Sequence, residues 1–318
     1  MELYYYQTEK GNFGDDLNRW LWDALLPGWR EVHPDRMLVG VGTLINNSTL
    51  PRGMAKVVIG SGWGYGAVPD AELIGECTFY SVRGPRSAAA LGLPPERGVI
   101  DPAAMLPLLP EFQGIRRAGP AIFIPHHESL HRQDWAAICR RAGVDFVSPT
   151  TETRAMIRRL AAAPLVITES MHGAIIADAF GTPWQGVAIA RKFFPAKWTD
   201  WGDSIGLTLE IPDLEPVSRG IAMQLMGGAS LATGSQITAP KATLPTRKSG
   251  PKHWLRGLSR DAMVRIEELR SPGRLRAFAR SPGSLSDRSQ LAAAQDRFKA
   301  VLEEAARDLG LTERPIWG

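Results

Sequence analysis

The sequence predicts an α/β fold in which two Rossmann-like domains face each other across a cleft, with a helical extension after them. Two observations lead to this prediction: short β-type runs alternate with helical stretches, and polar or Gly-rich loops follow the runs. Such alternation is typical of a parallel sheet covered by helices on both faces. The length of 318 residues suits two domains and an appendage, and 44% hydrophobic with 22% charged residues is ordinary for a folded chain.

The first series of elements predicts an N-terminal Rossmann-like domain over residues 1–112. A strand at 3–6 leads through the Gly-rich turn 11–14 into a helix that begins at Asp15 and Asp16, where carboxylates suit the helix dipole. Further strands are predicted at 37–41, 56–59 and 78–82, and a helix follows the last of them through residue 91.

The second series predicts a Rossmann-like domain over residues 118–226, with the boundary near 110–119. Its strands are predicted at 121–124, 144–147, 165–168 and 185–190, and its helices at 135–142, 151–162 and 174–180. The segment Glu169-Ser170-Met171-His172-Gly173 follows the strand at 165–168 directly. Ligands of open α/β sheets bind beyond the carboxyl ends of the strands, so we expect the site in these loops.

Residues 227–318 predict a linker and a basic helical tail. Gly, Ala, Ser, Thr and Pro dominate from Gly227 to about residue 252, whereas residues 286–309 show one apolar helical face that ends before Gly310. We expect this helix to be peripheral. Residues 241–318 hold 16 Lys/Arg against 9 Asp/Glu, which favours either contact with an anionic membrane surface or a solvated basic face.

Several classes of protein are excluded by composition. No apolar run approaches the roughly 18 to 20 residues that span a bilayer, and the first residues lack the pattern of a signal peptide, so we expect a cytoplasmic protein. Cys77 and Cys139 are far apart and do not form a zinc or disulfide pattern. The run His126-His127-Glu128 lacks the spacing of a metal motif, and we predict no metal and no nucleic-acid partner.

His172 is the candidate catalytic residue. It lies between a strand and a helix, where its imidazole would point into the cleft and act as a general acid or base, and where helix N–H groups could hold an anion. The alternative is a histidine that caps the helix or packs under the cleft. The candidate substrate contacts lie in the same loops: Asn12, Gly60, Ser61, Gly62, Arg83, Arg86, His126, Met171, Gly173, Arg191 and Lys192.

Different chemical properties make these residues candidates for substrate contact. Arg83 and Arg86 are three residues apart at a strand end and suit bidentate contact with carboxylate or phosphate; otherwise they are surface arginines on a solvated face. The glycines let backbone approach a ligand, although they match neither the dinucleotide nor the Walker spacing. The basic and aromatic run from Arg191 to Trp198 could close on a sugar or simply pack.

Five segments in fixed order resemble the polysaccharide pyruvyl transferase family, over about residues 1–210. They are Gly11-Asn12-Phe13-Gly14-Asp15-Asp16, Gly60-Ser61-Gly62, Ser81-Val82-Arg83-Gly84-Pro85-Arg86-Ser87, Asp101-Pro102-Ala103 and Met171-His172-Gly173. The sequence looks similar to the ketal pyruvate transferases of bacterial exopolysaccharide pathways of the succinoglycan type. Because each segment is short, the specificity comes from the complete ordered set.

The resemblance implies a GT-B-like fold, phosphoenolpyruvate as donor substrate, and no cofactor or metal. It implies a lipid-linked oligosaccharide as acceptor, at the inner face of the membrane, and it places Arg83 and His172 on the donor. His172 would then act as general acid or as phosphate ligand, and Asp15, Asp16 or Glu169 would take the hydroxyl proton. The family often has an arginine where this chain has Ser170, so Arg83, Arg86, Arg191 or Lys192 would have to replace that charge.

Two other functions are alternatives at this stage. One is a nucleotide-sugar glycosyltransferase of the same GT-B shape, which fold alone does not distinguish. The other is a non-catalytic scaffold of polysaccharide assembly, for which the absence of the family arginine at Ser170 is the sequence hint.

Overall fold

The N-terminal half contains a sheet of four parallel strands. The computed structural model describes residues 1–190, 193–215, 260–313 and 315, without the side chains of 260–264. The strands are β1 (Glu2–Tyr4), β2 (Arg36–Val39), β3 (Ala55–Ser61) and β4 (Cys77–Val82), in the order β1-β2-β3-β4. Because every pairing is parallel, the carboxyl ends of the strands meet at one edge of the sheet.

A second sheet of four parallel strands follows in the chain. It contains β5 (Ile122–Ile124), β6 (Asp145–Phe146), β7 (Val166–Thr168) and β8 (Trp184–Gly186), in the order β6-β5-β7-β8. The predicted strand at 185–190 is shorter than expected, since residues 187–190 leave the sheet and Ala188 pairs with Asp213 instead. The prediction of an α/β fold with parallel sheets is confirmed.

Helices connect and cover the strands. They are α1 (Phe13–Asp16), α2 (Leu21–Leu25), α3 (Ala71–Gly75), α4 (Pro85–Ala90), α5 (Trp135–Ala142), α6 (Thr153–Ala162), α7 (Met171–Ala179), α8 (Pro195–Ser204), α9 (Arg260–Phe278) and α10 (Arg288–Asp308). Short 3₁₀ segments lie between them, of which Pro102–Leu108 contributes to the site.

The helix predicted to begin at Asp15 is broken into α1, a 3₁₀ turn at Leu17–Arg19, and α2. The buried Asn18 accounts for the break. Its Nδ2 donates to the carbonyl oxygens of Asp15 and Val41, at 2.9 and 3.0 Å, and competes with the main-chain bonds of a continuous helix.

Helix α7 is the buried centre of the molecule. Every residue from Met171 to Asp178 is buried, as expected for a helix that is apolar on all sides. Its first turn is capped by Ser170, whose Oγ accepts from the Gly173 amide at 3.4 Å. Because α7 packs against the 3₁₀ segment Pro102–Leu108, it brings residues of the two halves of the chain into contact.

The tail helix α10 is not peripheral, so that expectation was wrong. Its predicted apolar face is buried in the main hydrophobic cluster, through Leu291, Ala294, Phe298, Leu302 and Ala305. A bidentate ion pair joins Arg97 to Glu304, at 3.0 Å for each bond. The face is apolar because it covers the first half of the chain, which sequence periodicity could not reveal. The predicted linker lies outside the described residues, and no helix in the described ranges is long and apolar enough to cross a membrane.

Candidate active site

A cavity of about 630 Å³ opens beyond the carboxyl ends of strands from both sheets. Its walls come from the loops after β1, β2 and β3 and from the segments that follow β5, β7 and β8. The lining includes Tyr4, Tyr6, Asn12, Asp15, Thr43, Asn46, Tyr65, His126, His127, Glu128, Ser170, Met171, His172, Phe193, Phe194 and Lys197. Several of the loops predicted to hold the site therefore meet around one cavity.

His172 is held against the backbone of Gly14. A Cβ atom added to Gly14 would stand 2.1 Å from His172 Nδ1 and 2.6 Å from its Cγ, so only glycine leaves room for the imidazole. His172 is 8% exposed and lines the cavity. Gly14 is therefore required by packing at this position, because its backbone does not adopt a left-handed conformation.

On its other side, His172 faces Asp101. His172 Nε2 lies 3.8 Å from Asp101 Oδ2, and within the described residues both atoms are buried without a hydrogen-bond partner. The other carboxylate oxygen, Oδ1, accepts from the Ala103 amide at 2.9 Å and caps the 3₁₀ segment. A small shift would bring the facing atoms into hydrogen-bond range, as often happens when a site closes on its substrate.

Burial shifts the pKa of His172 and that of Asp101 in the direction that favours the neutral form of each. It lowers the pKa of His172 to about 3, with help from the charges of Lys197 and Arg83. It raises the pKa of Asp101 to about 6, although the Ala103 amide and the charge of Arg83 oppose the shift. His172 is therefore a neutral imidazole near pH 7.

Asp15 is a cavity carboxylate whose acidity is strongly altered. Burial raises its pKa to about 7, although Asn12 Nδ2 donates to its Oδ2 at 2.5 Å and opposes that shift. The neighbouring Asp16 has another role: its carboxylate accepts from the Asn12 amide at 3.0 Å and pairs with Arg19 at 3.1 Å. Of the two adjacent aspartates, Asp15 lines the cavity.

Lys197, near the start of α8, is the one lysine or arginine that lines the cavity within the described ranges. Its Nζ donates to Tyr65 Oη at 2.7 Å. Its charge contributes to the lowered pKa of His126, about 2, and to that of His172, although burial is the larger cause for both. The same charge favours ionised Asp15. Lys197 therefore contributes positive potential to this cavity.

The two arginines predicted to clamp the donor lie elsewhere. Arg83 is fully buried: its Nη2 is 3.0 Å from Asp200 Oδ2, and its Nη1 donates to Thr43 Oγ1 at 2.7 Å. Arg86 pairs with Asp203 at 2.6 Å and is more than half exposed. Neither lines the cavity. Because Asp200 follows Lys197 by three residues on α8, the Arg83 pair fixes the helix that carries Lys197.

The segment Gly60-Ser61-Gly62 also packs behind the cavity. A Cβ on Gly60 would stand 2.5 Å from Pro102, and a Cβ on Gly62 would stand 2.2 Å from Cζ of Arg83. Ser61 is buried, and its Oγ donates to the Gly42 carbonyl oxygen at 3.2 Å. These residues make room for the buried arginine and for the 3₁₀ segment, and they are not among the cavity residues.

Glu169 ties together the loops of the second sheet. Its Oε2 accepts from the His126 amide at 3.0 Å, and its Oε1 accepts from the amides of Ile189, at 2.9 Å, and Ala190. Both carboxylate oxygens of Glu169 thus accept hydrogen bonds from main-chain amides. The Asp15 carboxylate differs, since it accepts from the Asn12 side chain. Gly173 has a packing role as well, since its Cβ would stand 2.6 Å from Thr168 Oγ1.

Of the remaining predicted contacts, Asn12, His126 and Met171 line the cavity, whereas Arg191 and Lys192 lie outside the described residues. Sequence reasoning did not select Asp101, Lys197 or Tyr65. Asp101 was present in a recognised segment and Lys197 in the basic and aromatic run, so a signal existed for both. Within the described residues no cluster of three or more metal-ligating side chains occurs.

The fold is α/β with a cavity at the strand ends, and comparison with known families specifies the class of protein. The family model for polysaccharide pyruvyl transferase matches residues 12–190, more than half of the chain, and this protein belongs to that family. Over 315 residues it is 41% identical to the succinoglycan biosynthesis protein ExoV of Rhizobium meliloti (strain 1021), covering 97% of this chain and 99% of the relative.

Proposed function

We propose that this protein transfers pyruvate from phosphoenolpyruvate, as a ketal, to a sugar of an exopolysaccharide repeat unit and releases phosphate. The relative named for succinoglycan biosynthesis supports an exopolysaccharide acceptor. The observation that carries the proposal is one cavity that holds a neutral histidine, a carboxyl group with a pKa of about 7 and a lysine. We also propose that the two sheets belong to two domains of the GT-B type.

The reaction needs a proton donor and a proton acceptor. The methylene carbon of the enol ether gains a proton and becomes a methyl group, while C2 becomes an oxocarbenium-like centre. One sugar hydroxyl adds to C2 and loses its proton. The second hydroxyl then displaces phosphate and closes the ketal ring, and its proton leaves with the phosphate. Near neutral pH, the group that is still protonated serves as the acid, and the neutral imidazole serves as the base.

The pKa values favour Asp15 as the acid and His172 as the base. Asp15, with a pKa of about 7, keeps a substantial protonated fraction at neutral pH and lines the cavity. The low pKa of His172 leaves its ring neutral near pH 7, without the additional proton that the general-acid role expected from the sequence requires, so we assign it the role of proton acceptor. With an Nε2 proton directed at Asp101, Nδ1 is left to accept the proton of the sugar hydroxyl.

Donor binding requires positive charge for a trianionic substrate. Lys197 supplies it, and the first turn of α7, which begins at Met171 in the cavity wall, adds main-chain N–H groups. Arg191 and Lys192 follow the cavity residue Ala190 in the chain and are retained as predicted donor contacts. In this arrangement Ser170 caps α7, and Lys197 provides the cation that the family arginine provides elsewhere.

The proposal is tested by donor binding and by product mass. Phosphoenolpyruvate should raise the melting temperature, whereas nucleotide sugars should not. A lipid-linked saccharide incubated with phosphoenolpyruvate should gain the mass of pyruvate less water. His172→Ala should abolish this gain, whereas the control His131→Ala, outside the cavity, should retain it. Stabilisation by nucleotide sugars alone would indicate a glycosyltransferase, and no donor binding would indicate a scaffold.

For location, we propose that the protein works on the cytoplasmic side of the inner membrane and binds its surface through α9. Three arginines on this helix and Arg280, two residues after its end, are exposed, and Leu269 is 71% exposed. Anionic lipid attracts such a basic surface, and salt weakens the attraction. Vesicles that contain phosphatidylglycerol should sediment the protein at low salt, and substitution of Arg265, Arg270, Arg276 and Arg280 by Gln should abolish this. Sedimentation that is unchanged by salt and by the substitutions contradicts the proposal.

A further inference from the structure

Two exposed tyrosines stand at the mouth of the cavity. Tyr6 is 51% exposed and Tyr65 is 54% exposed, and both line the cavity. Within the described ranges they are the only aromatic side chains with such exposure. Large apolar rings left half in water at one opening favour a binding role over a packing role.

Each tyrosine lies next to a ring from the second half of the chain. Tyr6 is 6.2 Å from the His127 ring, and Tyr65 is 5.1 Å from the Phe194 ring, as measured between centroids. The opening therefore has two aromatic pairs. Each pair joins a loop of the first sheet to a segment that follows a strand of the second sheet. We call these two pairs the aromatic rim.

Tyr65 is fixed in place before any ligand binds. Its φ angle of +60° lies in the left-handed region, which is uncommon for a bulky residue. The Lys197 ammonium group donates to its hydroxyl at 2.7 Å, and Gly64 allows the loop to approach Phe194, since a Cβ there would stand 2.9 Å from the Phe194 ring. A strained backbone that its neighbours hold rigidly is a feature of binding sites.

Neutral polar groups flank the aromatic rim, next to the charged Lys197 and Glu128. Thr43 and Asn46 contribute hydroxyl and amide groups to the wall beside Tyr65, and Asn46 is only 3% exposed. The acidic Glu128 is exposed at the same opening, where it would repel a diphosphate. Aromatic faces next to neutral hydroxyl and amide groups suit a sugar ring, which has apolar C–H faces and polar hydroxyls.

We propose that Tyr6 and Tyr65 form the acceptor subsite, in which they stack on the pyranose ring that receives the ketal. The ligand class is a neutral pyranoside whose free hydroxyls point inward, toward Asp15 and His172. This inference rests on the proposed function, because it assigns the acceptor of that same reaction.

Saturation-transfer NMR with methyl β-glucopyranoside and methyl β-galactopyranoside tests the subsite apart from the donor. The unaltered chain should saturate the ring protons of at least one glycoside. Tyr6→Ala and Tyr65→Ala should weaken that binding about tenfold or more, whereas Tyr6→Phe and Tyr65→Phe should retain most of it. Tyr5→Ala, which alters the neighbouring tyrosine outside the cavity, is the matched control and should bind like the unaltered chain.

Donor binding separates this inference from the proposed function. Phosphoenolpyruvate should stabilise the two Tyr6 variants and Tyr5→Ala as it stabilises the unaltered chain, since Lys197 keeps its Tyr65 partner in all three. One outcome would refute the proposed function and leave the sugar subsite intact. In that outcome phosphoenolpyruvate stabilises neither the unaltered chain nor any variant, whereas glycoside binding still depends on Tyr6 and Tyr65. The subsite is refuted if neither glycoside binds the unaltered chain, if the alanine variants bind as well as the control, or if uridine monophosphate binds the tyrosines instead.

Discussion

The contact between Gly14 and His172 gives a prediction that can be worked out from distances. In Gly14→Ala the new Cβ would stand 2.1 Å from His172 Nδ1, and real Cβ contacts essentially never fall below 3.0 Å. The backbone at Gly14 accepts alanine, and alanine favours helices by about 1 kcal/mol over glycine. The imidazole must therefore move, and overpacking of this kind costs about 1–3 kcal/mol.

A double-mutant cycle isolates that clash. We expect Gly14→Ala to lower the free energy of unfolding and to abolish pyruvyl transfer in the natural background. In His172→Ala the imidazole is gone, so the same change should cost little or even stabilise. The coupling free energy should be about 1–3 kcal/mol, within the range found for residues in contact.

Urea denaturation of the four proteins measures the cycle, and Gly75→Ala is the control. Gly75 also lies in a helix, and a Cβ there would meet no atom within 4 Å, so its substitution should have the same effect with or without His172. If Gly14→Ala costs the same in both backgrounds, His172 does not pack on Gly14 and the assigned position of the imidazole is wrong.

Three further changes test the charges. Asp200→Ala leaves the buried Arg83 without its ion-pair partner and should lower the free energy of unfolding, measured in urea, by about 3–5 kcal/mol. Asp203→Ala removes the partner of the exposed Arg86 and should lower it by less than about 1 kcal/mol. Equal effects of the two substitutions contradict the burial of the Arg83 pair. Because burial raises the pKa of Asp15 to about 7, its contribution to stability is present at pH 4 and is lost as the pH rises through 7. Asp15→Asn should remove that dependence of stability on pH, and it should remove the acidic group from the pH profile of kcat/KM. An unchanged profile refutes the role. Asp101→Asn would direct an amide N–H at His172 Nε2, so the NMR signals of the ring nitrogens should report the other tautomer. The value of kcat should fall, while phosphoenolpyruvate should still bind. An unchanged tautomer excludes positioning of His172 by Asp101.

The sequence alone was sufficient for the local elements and for the edge of the sheets that bears the site. Alternation of short strands and helices predicted two parallel sheets, and the apolar segment after His172 predicted the helix α7. The spacing of Leu291, Phe298 and Leu302 predicted the apolar face of α10, though not the surface that buries it. These features depend on periodicity and on residues adjacent in the chain, which a sequence displays directly.

Tertiary structure decided which polar residues face the cavity and which support it. Arg83 resembled a donor clamp, but its partner Asp200 is 117 residues away and draws the guanidinium into the interior. Asp101 and His172 are 71 positions apart in the sequence and face each other only because α7 packs on the 3₁₀ segment Pro102–Leu108. A charged side chain has the same local pattern whether it binds a ligand or a buried partner, because the free energy that separates the two cases comes from residues brought near by folding.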